Sequence, residues 1–116
     1  MRRVLVATAA AALLSAGAPQ VAAAHTPLKR LSPRPGTTHD GVGTVRATFK
    51  GRVTAATLVV RTASGRKVSG AARLVDGRRA VRVRLRRPGR GTFRASLRWL
   101  SPDGHPADRA WTFRIR

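Results

Sequence analysis

Thr92-Phe93-Arg94-Ala95-Ser96-Leu97-Arg98-Trp99 alternates without a break: Phe93, Ala95, Leu97 and Trp99 fall on one side of an extended chain, and Thr92, Arg94, Ser96 and Arg98 on the other. A period of two residues is that of a half-buried strand, not of a helix. Pro88-Gly89 and Gly91 break the chain before this stretch, and beyond them the same period returns, with Val81, Val83 and Leu85 opposite Arg82, Arg84 and Arg86. Further back, Val45, Ala47 and Phe49 alternate with Thr44, Arg46, Thr48 and Lys50, and Leu58 and Val60 resume the pattern after a bend at residues 51–54. Leu28 to Leu31 reads as a short first strand, Val68 as the start of another, and Ala71 to Val75 as a third that leads into a tight Asp76-Gly77 hairpin. Toward the C-terminus, Trp111, Phe113 and Ile115 supply a last apolar face.

About seven short strands separated by Gly and Pro, with no helical period after Ala24, predict an all-β, immunoglobulin-like Greek-key β-sandwich. All five aromatic residues (Phe49, Phe93, Trp99, Trp111 and Phe113) fall on the apolar side of the alternation and are expected in the core. Binding of single-stranded nucleic acid needs exposed rings for stacking, so this placement argues against it.

Arg2-Arg3, an apolar run from Val4 to Ala16 and Ala22-x-Ala24 have the layout of a cleavable signal peptide over residues 1–24. The run is too short and too rich in alanine for a membrane anchor. The expected product is an exported domain of residues 25–116, placed in the periplasm, cell envelope or extracellular space. With no cysteine, it can have neither disulfides nor thiolate ligands, and Met1, the only methionine, leaves with the signal.

Cleavage after Ala24 would make His25 the N-terminal residue, with an amine next to its imidazole. The other stretch with chemistry in it is Ser101-Pro102-Asp103-Gly104-His105-Pro106. One amine, two imidazoles and the Asp103 carboxylate form a nitrogen-rich donor set that suits Cu(II). The His25 amine and Nδ1 can close one chelate ring and His105 can add a third nitrogen. Asp103 can either complete the site or hydrogen-bond a ligand from behind. Soft donors for Cu(I) are absent from residues 25–116. His39-Asp40-Gly41 is expected in a solvent-exposed turn, not as a ligand pair.

Ala24-His25, Ser32-Pro33 with Pro35-Gly36, and Ser-x-Asp-Gly-His-Pro at residues 101–106 resemble the CopC family of copper-resistance proteins. The resemblance runs from His25 to Arg116 and is most specific at its two ends. It implies a small β-sandwich that holds Cu(II) through His25, Asp103 and His105, with the copper ion as cargo and a membrane copper transporter as a possible recipient. Three features depart from the family pattern. Gly51 stands where members often carry an acid, Arg109 stands where a glycine is usual, adding a cation near the proposed copper, and methionine-rich segments are missing.

The net charge is +20, from 24 Lys and Arg against 4 Asp and Glu. Such a field favours non-specific attraction to polyanions. Weak binding of anionic surfaces is expected on the face carrying Arg82, Arg84 and Arg86, and no specific nucleic acid. Two other readings compete with a copper carrier: a cationic module that binds wall polymer or nucleic acid without metal, and a copper monooxygenase-like enzyme. Nothing resembles a nucleophile–base pair, a phosphate loop or paired catalytic carboxylates, so no enzymatic activity is expected.

Overall fold

The alternating runs become eight strands: β1 (Leu28–Ser32), β2 (Thr38–His39), β3 (Thr44–Phe49), β4 (Ala55–Thr62), β5 (Arg73–Val75), β6 (Ala80–Arg84), β7 (Gly91–Leu100) and β8 (Pro106–Ile115). The structure, a computed structural model, describes residues 26–116; the expected signal peptide and His25 lie outside the described residues. No helix occurs among the described residues.

One sheet has the order β1-β3-β6-β5 and the other β2-β8-β7-β4. The runs β1-β3-β6-β5 and β8-β7-β4 follow the two sheets of an immunoglobulin domain, and β2 is an eighth strand beyond β8. β7 and β8 pair over ten residues, from Gly91↔Ile115 to Leu100↔Pro106, and form the longest hairpin. β8 therefore begins well before the apolar run at Trp111.

The inward residues of both sheets meet in one core that contains Val45, Phe49, Leu58, Val83, Phe93, Leu97, Trp111 and Phe113. All five aromatic side chains are buried, as their alternation predicts. Phe93 stacks on Phe113 with centroids 5.6 Å apart, and Phe49 meets Trp99 at 5.3 Å. Each ring buried this way contributes roughly 1.5–3 kcal/mol.

Three local expectations are corrected. His39 is not in an exposed turn: it pairs in parallel with Ile115 and is half-buried, with Nε2 2.7 Å from Thr37 Oγ1. The Asp76-Gly77 hairpin is looser than expected, because Val75 pairs with Ala80 and residues 76–79 form the turn. Val68 starts no strand. The segment around it crosses between the sheets, bridging Arg61↔Lys67 on one side and Ser69↔Leu85 on the other. Val68 N–H donates to Val60 O, and buried Ser69 Oγ accepts the Val60 N–H at 2.9 Å.

Candidate metal site

Residues 101–105 connect β7 to β8. Gly104 N–H donates to Ser101 O at 2.8 Å, which closes a turn with Pro102 in its second position, where a fixed φ is favoured. Gly104 has a φ of +91°, a conformation open to a residue without a side chain. Ser101 N–H donates back to His105 O at 3.0 Å, so the loop closes on itself at its base.

Within this loop Asp103 grips His105 twice. Its Oδ1 accepts the His105 backbone N–H at 3.2 Å, and its Oδ2 lies 2.8 Å from His105 Nδ1. An ionised carboxylate can only accept, so this contact places the ring proton on Nδ1 and the ring's lone pair on Nε2. The His105 side chain is 55% exposed and that of Asp103 29%. A carboxylate behind an imidazole is the arrangement that orients histidine ligands in metal sites.

The opposite half of the candidate site starts at Thr26, the residue that follows His25. Sequence reasoning missed Thr26, yet three hydrogen bonds hold it. Its N–H donates to Ser101 Oγ at 3.0 Å, its hydroxyl donates to Arg52 O at 3.1 Å, and its carbonyl accepts the indole N–H of Trp99 at 2.9 Å. Ser101 is fully buried and Thr26 nearly so. Ser101 thus joins the two halves: its side chain fixes Thr26 while its backbone fixes the Asp103–His105 loop. A small buried serine has no periodic signature. Its place at the head of the Ser-x-Asp-Gly-His run was the one available signal.

Asp103 and His105 are brought together, and among the described residues no cluster of three His, Cys, Asp or Glu forms around them or elsewhere. His25, the third expected ligand, lies outside the described residues. A Cβ at position 51 would stand 3.8 Å from Thr26 Cγ2, so the family's acid at that place would adjoin this end of the site. Arg109 lies four residues along β8 from His105, about 13 Å of strand. It lines a groove with Leu28, Leu31, Arg34 and Pro35.

A model of the CopC domain matches residues 28–116. No curated protein sequence matches. Among solved structures, the chain is similar to CopC from Methylosinus trichosporium OB3b, with a TM-score of 0.70 and 22% identity over 78% of this chain and 93% of that one. It is also similar to PcoC, a methionine-rich copper-resistance protein from Escherichia coli, with a TM-score of 0.66 and 23% identity over 80% of this chain and all of that one.

Proposed function

The chain belongs to the CopC family, and on that premise we propose that it is an exported Cu(II)-binding protein that holds copper as cargo outside the cytoplasm. The ligands are the amine and imidazole of His25 and Nε2 of His105. Asp103 orients the His105 ring from behind. The observation that carries this reading is the clamp on Thr26: its amide lies 3.0 Å from the side chain of the serine that also closes the Asp103–His105 loop. Consecutive Cα atoms are about 3.8 Å apart, so a residue joined to Thr26 is tethered beside that loop.

The donor chemistry supports the same reading. Nitrogen donors with nearby carboxylate oxygen suit Cu(II), whereas Cu(I) prefers the sulfur ligands that residues 25–116 lack. A site finished by the N-terminal amine exists only after the signal peptide is cut, which ties copper binding to export.

The test is a Cu(II) titration of the protein beginning at His25, with electron paramagnetic resonance as readout. One equivalent in a nitrogen-rich tetragonal environment is expected, with severe weakening in His105→Ala. Tight copper binding that persists when both His25 and His105 are replaced by alanine would refute the assignment.

A further inference from the structure

Outward positions of the β1-β3-β6-β5 sheet carry an arginine array that copper binding does not use. Register places Arg46 opposite Arg82 and Arg82 opposite Arg73, three guanidinium-bearing residues in one row across three strands. Neighbouring strands lie about 4.8 Å apart, and like charges set directly opposite one another destabilise a sheet. Arg46 is neutralised by Asp76. Arg73, Arg82, Arg84 and Arg86 line a groove of about 590 Å³ together with Gly70 and Leu85.

None of the chain's four acids lines the groove, although Asp76 sits on the neighbouring Arg46. Asp76 pairs with Arg46, Asp40 with Arg116 and Asp103 with His105, while Asp108 sits opposite Arg98 on the other sheet. Gly70 shapes the groove. A Cβ there would stand 3.4 Å from both Nε and Nη2 of Arg86, so that guanidinium lies against the glycine and a larger side chain at this position would meet it. Gly70 N–H donates to Arg84 O and Arg86 N–H to Val68 O, which ties together the two segments that form the wall.

The outer face of the other sheet provides an internal comparison. There Arg61 donates to Gly65 O, Arg114 donates to Thr92 Oγ1, and Arg98 faces Asp108. That face also carries a groove, of about 410 Å³, but there Arg94, Arg98 and Arg109 share the lining with Asp108, whereas the first groove gathers four arginines and no acid.

We propose that this groove is a binding site for polyvalent phosphate anions. The fork of N–H donors on a guanidinium matches phosphate oxygens in pairs, and four such groups suit a ligand with more than one phosphate. Free condensed phosphate and the headgroups of an anionic lipid surface share this chemistry. The site is independent of the copper reading.

The test compares two variants with the same loss of charge. One replaces Arg73, Arg82, Arg84 and Arg86 with glutamine. The other replaces Arg61, Arg94, Arg98 and Arg114 with glutamine. Tripolyphosphate is titrated calorimetrically into each, and co-sedimentation is measured with phosphatidylglycerol and phosphatidylcholine vesicles. One equivalent of tripolyphosphate is expected, weakened at least about tenfold by the groove variant and less than about twofold by the other. Gly70→Leu, which fills the groove and removes no charge, is expected to weaken binding as well. Binding to phosphatidylglycerol vesicles alone, lost in the groove variant, would support the site with lipid as the source of phosphate. Equal losses in the two glutamine variants, full binding by Gly70→Leu, or retention on duplex DNA with neither phosphate probe bound would overturn the proposal.

Discussion

Replacing Ser101 with alanine removes one oxygen atom and separates two roles of the Thr26 clamp. The Thr26 N–H, buried and 3.0 Å from Ser101 Oγ, would lose its acceptor. Leaving a buried donor unsatisfied costs about 1–3 kcal/mol. For a domain of this size each kcal/mol lowers Tm by roughly 4–8 °C, so apo protein should melt about 5–20 °C earlier. The effect on copper has a different origin. The Arg52 and Trp99 contacts still hold Thr26, but its amide end is slackened, and re-ordering that backbone on binding costs about 1–2 kcal/mol. Cu(II) affinity should therefore fall roughly five- to thirty-fold. Ser69→Ala is the matched control, because Ser69 is also buried and also accepts a backbone N–H, from Val60, away from the loop. It should cost similar stability and leave copper affinity unchanged. Both variants would be melted without metal and titrated against a competing Cu(II) chelator. If Ser101→Ala binds copper as tightly as the parent while melting earlier, the clamp supports the fold only and its positioning role is wrong.

Adding one alanine before His25 should weaken Cu(II) binding by several orders of magnitude, because the amine and imidazole no longer share a residue; apo Tm should stay put. Equal affinity by chelator competition would remove the chelate. Asp103→Asn should lower affinity about 10- to 100-fold, the range for loss of a partner behind a ligating histidine; a loss as large as that of His105→Ala would instead make Asp103 a direct ligand. Protons compete for amine and imidazole nitrogens, so Cu(II) affinity should drop steeply below about pH 6. A flat profile down to pH 4 would rule those nitrogens out.

The sandwich was legible wherever one face of a strand is buried and the other wet. β7 illustrates it: Phe93, Ala95, Leu97 and Trp99 are all buried, as alternation requires. β2 was illegible for a physical reason. It is held by backbone bonds from a segment over 70 residues away, Arg114 N–H donating to the O of Thr37, just before β2, and Arg116 N–H to His39 O. Side-chain pattern carries no trace of such pairing. The first half of β8 was missed because Asp108, Arg109 and Ala110 are all exposed, so nothing alternates there. At the candidate site, Asp103 and His105 stood out by residue type and by their place in the Ser-x-Asp-Gly-His run, and the structure shows the two in contact. Thr26 and Ser101 did not, since their importance lies in what they touch.

The crossover at residues 66–69 also bears on how copies of this chain meet one another. β4 is an outermost strand, and an outermost strand offers unpaired backbone groups on which a second chain can add a strand of its own. Thr62 N–H is taken by Arg66 O, Val60 O by Val68 N–H, and Val60 N–H by Ser69 Oγ. The C-terminal half of β4 is therefore covered by the chain's own backbone. Its margin is further guarded by Arg61 and Lys67, bridged side by side, whose charges would repel a like edge approaching from another copy. A change of sheet required by the topology also serves as a barrier to strand-to-strand aggregation.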